Sequence, residues 1–165
     1  METAVPQGTD QASENLLQVV MGGENILLRS SDIREVVRPL PLTPVPMGPE
    51  HLLGLANIHG QVVCIIDAGV ITALPACDHQ QTSRSRYLVL RHPLMHVGIW
   101  VDAVSNILPV DKILLAAAGL NHDSISSIEI DGEAYHLLEC SSLFERTNIH
   151  EPSSLLSTAD TGSQK

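Results

Sequence analysis

The feature that most constrains this chain is a segment it uses twice. Gly60-Gln-Val-Val-Cys-Ile-Ile-Asp-Ala-Gly-Val-Ile71 and Gly132-Glu-Ala-Tyr-His-Leu-Leu-Glu-Cys-Ser-Ser-Leu143 follow one pattern. Each has a glycine, a long polar residue, four or five strand-forming residues, an acid, and a short segment ending in an aliphatic side chain. The copies stand 72 positions apart (132 − 60 = 72). In the first, Asn57 and His59-Gly60 supply turn chemistry ahead of β-branched apolar residues, so a tight bend delivers the chain into a buried strand. Val104, Ile107 and Leu108 likewise echo Ile33, Val36 and Val37, at an offset of 71 (104 − 33 = 71), so one copy carries a single-residue insertion. A piece near 60 residues buries only about 60% of its unfolded surface, so two such units gain from packing together.

The 165 residues are 44% hydrophobic, but one Phe, one Trp and two Tyr leave the core to aliphatic side chains. A net charge of −10 repels phosphate backbones, which argues against nucleic acid as a partner. Lys112 and Lys165 are the only lysines, and no basic cluster follows an apolar run, so neither docking on an anionic bilayer nor direct membrane insertion is expected. No basic residue precedes Arg29, and the longest apolar run, Ile113 to Leu120, is too short to cross a bilayer. The expected compartment is the cytoplasm. Cys64, Cys77 and Cys140 are odd in number and widely spaced, which suits reduced thiols, with Cys64 in the core.

Residues 1–14 read as a disordered leader, since they lack either apolar period. Leu16 to Met21 and Asn25 to Ser30 form a hairpin around Gly22-Gly23. Asp32 to Val37 reads as a short helical turn capped by Asp32 and Glu35. Prolines at 39, 41, 44, 46 and 49 forbid a continuous helix, and Pro49 opens a short helix through Leu53. Ala68 to Leu74 is a brief helical cover stopped by Pro75. Residues 76–85 link the copies. Tyr87 to Arg91 and Val97 to Val101 make a second hairpin around His92-Pro93. Lys112 to Gly119 is a helical turn or an apolar loop, and Asn121 to Ser124 is turn-like. Ser127 to Ile130 and Glu133 to Glu139 pair across Asp131-Gly132, Cys140 to Glu145 closes the fold as a helix, and 147–165 is a flexible tail. About five short strands per copy predict a mainly β protein built as two small barrels, the first mainly 15–75 and the second mainly 86–145, with closure removing exposed edges.

Chemistry is sparse. Asp67 and Asp102 each end an apolar strand; a carboxylate pair in one cleft is what a small hydrolase needs, but a strand-end acid capping the next turn explains each separately. His59, Cys64 and Asp67 do not make a metal site, because residues 64 and 67 face opposite sides of a strand and His59 lies beyond the turn. Trp100, with apolar flanks, is a core or barrel-junction residue. There is no phosphate loop, nucleophile elbow or zinc spacing, and no cofactor is called for.

Four stretches carry a resemblance: Glu35-Val-Val, Thr43-Pro-Val-Pro, Gly54-Leu-Ala-Asn-Ile-His-Gly-Gln-Val-Val-Cys-Ile-Ile-Asp67 and Val97-Gly-Ile-Trp-Val-Asp-Ala-Val104. Together, from about Leu16 to Glu145, they resemble the CheW family of adaptors, which couple bacterial chemoreceptors to the histidine kinase CheA. The resemblance implies two five-stranded SH3-like β-barrels in a pseudo-twofold arrangement with a groove between them, no catalytic activity, and two binding surfaces. One meets the kinase's regulatory domain and the other the cytoplasmic tip of a chemoreceptor. It implies partner-binding roles, in contact or in shaping the turn, for Glu35, Gly54, Asn57 and Gly60; Val37 is placed with them, and His59 is a further contact candidate because partner-binding groups gather on loops held by rigid strands. His59 stands where the family usually has Arg, Cys64 where it has Pro, and Ala68-Gly69 where it has bulkier residues. These departures point to a specialised or divergent adaptor, with a pilus-linked pathway as one setting and an adaptor without receptor contact as another.

Overall fold

The computed structural model describes residues 12–72, 74, 79–118 and 125–147. The first hairpin pairs β1 (Ser13–Met21) with β2 (Glu24–Arg29) across Gly22 and Gly23, both at positive φ. A single 3-10 turn over Ser30–Asp32 leads into β3 (Ile33–Val37). Then come β4 (Leu52–Ile58), β5 (Gln61–Ile66) and α1 (Ala68–Ile71). The second half supplies β6 (Arg86–Leu90), β7 (Val97–Val101), β8 (Ala103–Asp111), α2 (Lys112–Ala118), β9 (Ile125–Ile130), β10 (Glu133–Leu138) and α3 (Cys140–Thr147).

The ladders form two five-stranded sheets, β8-β1-β2-β10-β9 and β3-β6-β7-β5-β4. The halves therefore do not each build their own barrel, contrary to the division into 15–75 and 86–145. Strands 1 and 2 of one half join strands 3, 4 and 5 of the other. The duplication is nevertheless visible in the register. Ile33, Val36 and Val37 lie opposite Leu90, Leu88 and Tyr87, and their echoes Val104, Ile107 and Leu108 lie opposite Val19, Leu17 and Leu16. The parallel pairings repeat as well: Cys64 opposite Val97 and Ile65 opposite Gly98 correspond to His136 opposite Ile26 and Leu137 opposite Leu27. The exchange makes each half depend on the other, because neither sheet is complete without both.

Closure is partial. Each ladder ends in an edge strand among the described residues, so hydrogen bonding does not complete either barrel. In the second sheet the chain beyond β3 curls back, and Thr43 exchanges two backbone hydrogen bonds of 2.8 Å with Leu55 on β4. The Tyr87 hydroxyl donates to the Leu40 carbonyl at 2.9 Å and pins this strap from the inside. Prolines suit such a strap, which has few ladder donors to supply.

Strand alternation separates two cores. In the first sheet Leu16, Leu27, Val110, Ile128 and Leu137 turn one way, onto Leu115 of α2. Leu17, Val19, Met21, Ile26, Leu28 and Leu138 turn the other way, into a larger cluster shared with the second sheet, Trp100, Leu143 and Phe144. Trp100 is thus a junction residue, 4% exposed, as its apolar flanks predict.

Two local readings are overturned. Residues 33–37 form a strand rather than a helical turn, and Leu52 and Leu53 open β4 rather than close a helix. In both places β-branched or aliphatic residues gain more from cross-strand pairing than from a short isolated helix, whose nucleation is costly. Ser13 and Glu14, assigned to the leader, pair with Asp111 and Val110 in β1. Residues 1–11 of the leader, the turn at 121–124, Pro75, Cys77 and the tail from 148 lie outside the described residues.

Cys64 and Cys140 are buried thiols. Burial pushes both above the usual thiol range, Cys140 furthest, with Asp32 and Glu139 adding repulsion. A thiol held protonated is a poor nucleophile. Peptide mapping after iodoacetamide treatment at neutral pH should find both unmodified in the folded protein and both modified in urea.

Candidate partner-binding site

The β4–β5 hairpin turns through His59 (φ 53°) and Gly60 (φ 81°), and β9–β10 turns through Asp131 (φ 52°) and Gly132 (φ 84°), the same geometry in both copies. Two consecutive left-handed residues match the twist of the flanking strands. The Asn57 carboxamide oxygen accepts the Gly60 N–H at 2.9 Å and holds the turn from within. His59 is thereby lifted clear, with 71% of its side chain exposed.

Glu35 lies on β3, at the far edge of the same sheet in ladder order, yet its Oε1 is 2.9 Å from His59 Nε2. The sheet curls enough to bring its two edges together through side chains. Beside this contact Arg34 Nη2 donates to Gln61 Oε1 at 3.4 Å, and Gln61 Nε2 lies 3.1 Å from His96 Nε2. Val36 and Val62, next to these residues in sequence, are exposed large apolar side chains. An exposed polar seam with apolar residues alongside is a surface suited to contacting another protein.

The expected residues separate into two groups. Glu35, Asn57, His59 and Gly60 come together at this seam. Gly54 is buried at an irregularity in β4, against Leu42 and Thr43, and Val37 packs against the core, so these two shape the surface from behind. Arg34, Val36, Gln61 and Val62 lie along the same seam and were not among the expected residues. The alternation along β3 and β5 was the available signal, but reading 32–37 as a helical turn concealed it.

Asp67 is fully buried. Its Oδ1 accepts the Gly69 N–H at 2.9 Å, the expected cap of α1, and His79 Nε2 lies 2.6 Å from Oδ2, out of hydrogen-bonding alignment. Asp102 does not cap its own next turn. Its Oδ2 accepts the Gly22 N–H at 2.9 Å across the sheets, and Oδ1 lies 3.4 Å from Trp100 Nε1, which donates to it. Both carboxylates have structural employment.

A CheW-like domain profile matches residues 15–148. The chain belongs to the CheW family. It is 28% identical over 144 residues to a probable chemotaxis protein CheW of Rhizobium etli, covering 84% of this chain and 92% of that protein. It is 29% identical over 135 residues to the chemotaxis protein CheW of Rhizobium meliloti, covering 78% and 86%. The crystal structure of the scaffolding protein TtCheW from Thermoanaerobacter tengcongensis superposes with a TM-score of 0.65 at 19% identity, over 85% of this chain and 98% of that one. The architecture is therefore the CheW fold, and the protein is a CheW-family chemotaxis adaptor. No helix among the described residues is long and apolar enough to cross a membrane.

Proposed function

We propose that this adaptor couples chemoreceptors to a CheA-type histidine kinase, without catalysing a reaction, and works in the cytoplasm at receptor arrays. The observation that carries the reading is the Glu35–His59 contact at the curled edge of the second sheet, flanked by Val36 and Val62. Rigid strands hold these groups before any partner arrives, so little ordering entropy is lost on binding, and several moderate contacts suffice in an array. Asp67 and Asp102 are occupied by backbone donors, which weighs against the hydrolase reading.

His59→Ala and Glu35→Ala are expected to leave the far-ultraviolet spectrum and melting cooperativity intact while weakening capture of kinase or receptor by about tenfold, equivalent to ~1.4 kcal/mol. Full-strength capture of both partners by both variants would remove the seam from the interface. A divergent adaptor that meets the kinase or other adaptors but no receptor is favoured by one feature. His59 is shorter than an arginine and lacks its permanent fork of donors. Normal kinase capture with no receptor capture by the unaltered protein would select it. A specialised pathway such as a pilus-linked one is compatible with either outcome.

A further inference from the structure

Where the start of β3, the β6–β7 turn and α3 meet, an open cavity of about 330 Å³ is lined by Asp32, Arg91, His92, Met95, Ser141 and Phe144, with Cys140 behind. Its size falls at the lower end of the range for ligand pockets. The lining is built. His92 Nδ1 accepts the N–H groups of Leu94 and Met95 at 3.0 and 2.9 Å, which fixes the ring and leaves the proton of a neutral imidazole on Nε2. The same ring lies 4.4 Å from Phe144, centroid to centroid. Arg91 is turned to the backbone, with Nε donating to the Ser31 carbonyl at 3.2 Å and Nη2 to that of Ile33 at 3.5 Å.

Asp32 is the exception. Among the described residues its carboxylate makes neither a hydrogen bond nor an ion pair, although it is half-buried. The nearby cation, Arg29, is engaged by Glu14 and Glu139 at 2.7 and 2.9 Å. With Arg29 taken by two acids and Arg91 held on the Ser31 and Ile33 carbonyls, Asp32 is left without a direct counterion beside the apolar Met95 and Phe144.

We infer that this cavity is a socket for a basic side chain, a guanidinium or ammonium group on an apolar stem, presented by a protein partner. Asp32 would pair with the charge while Met95 and Phe144 cover the stem. A protein is favoured over a free amine because Asp32 immediately precedes β3, the edge strand that carries Glu35 of the seam. In this respect the inference rests on the adaptor reading.

The cost of keeping Asp32 supports the assignment. Burial, then repulsion from Glu139 and Glu14, raises its carboxyl above the usual range, against a lowering by Arg29. An acid raised on folding contributes stability that is complete below its unfolded pKa and lost as pH climbs through the folded one. Asp32→Asn should therefore raise the urea midpoint at neutral pH, a gain that disappears in acid, while binding is lost. Stability given up for a charge is a mark of a functional site.

The test titrates Nα-acetylarginine amide into the unaltered protein, observed by the imidazole signal of His92 and the methyl signal of Met95. Saturable shifts are expected, absent with the uncharged citrulline counterpart and in Asp32→Asn. No saturable shift, or equal shifts with citrulline, overturns the socket. In parallel, Asp32→Asn should weaken capture of kinase or receptor severalfold. Probe binding with unchanged capture would overturn the protein partner and leave a site for free amines. No capture even by the unaltered protein would instead reject the adaptor reading and leave the titration to judge the socket.

Discussion

Gly54→Val should cost this protein roughly 3 kcal/mol or more, enough to consume much of a small domain's stability. The residue has φ +153°, a conformation side chains rarely adopt, and a Cβ built there would lie 2.9 Å from the Leu42 Cβ and 3.0 Å from the Thr43 carbonyl oxygen. Neither neighbour can yield cheaply. Thr43 is held by its two hydrogen bonds to Leu55, and moving it opens the place where the second sheet curls shut. Packing strain and backbone strain therefore add. Gly60→Ala is the internal control, because Gly60 also has positive φ but nothing lies within 4 Å of its added Cβ. It should lose only about 1 kcal/mol, from the backbone term alone. Urea denaturation of both variants measures the difference, and equal losses would mean that the strap gives way freely. If the strap does pin the partner surface, Gly54→Val should also weaken capture at temperatures where the variant stays folded, whereas Gly60→Ala acts on the turn directly.

Local turn chemistry and strand patterning were readable from the chain alone; the partners chosen across it were not. Gly22-Gly23 and Asp131-Gly132 announce their hairpins through residues suited to positive φ, and the repeat of Gly60–Asp67 at Gly132–Glu139 announces a twofold plan. What a repeat cannot reveal is which copy each strand joins. Exchanged and unexchanged sheets bury the same faces of the same strands, so the pattern of Leu16, Leu17, Val36 and Val37 is compatible with both. The Glu35–His59 contact was hidden for a related reason. It depends on the sheet curling its edges together, a property of five paired strands rather than of either segment. Resemblance nominated Glu35 and a loop position nominated His59, but neither signal places one against the other. Asp32 carried no signal beyond its capping potential, because its lack of a partner follows from Glu14 and Glu139, distant in sequence, claiming Arg29.

That claim yields the other large effect. Arg29 leaves β2 in the first half of the chain and grips Glu139 of the second, with Nη2 2.9 Å from Oε2 and Nε 3.3 and 3.2 Å from the two carboxylate oxygens, while Nη1 reaches Glu14 at 2.7 Å. Glu139 is 7% exposed, so water can do little for it once the guanidinium is gone. The hydrogen bond to Glu139, opposed by burial and helped by Glu14, holds Arg29 firmly protonated. Arg29→Met should cost about 3 kcal/mol in urea denaturation, the usual penalty for leaving a buried ion without its counterion. Arg29→Lys keeps the charge but loses the planar fork, so it should fall between. The decisive variant pairs Arg29→Met with Glu139→Gln, which removes the stranded charge and should recover a good part of the loss. Were the double variant as unstable as the sum of the two single ones, the grip would not be electrostatic, and packing of the Arg29 stem at the junction of the two halves would be the interaction that matters.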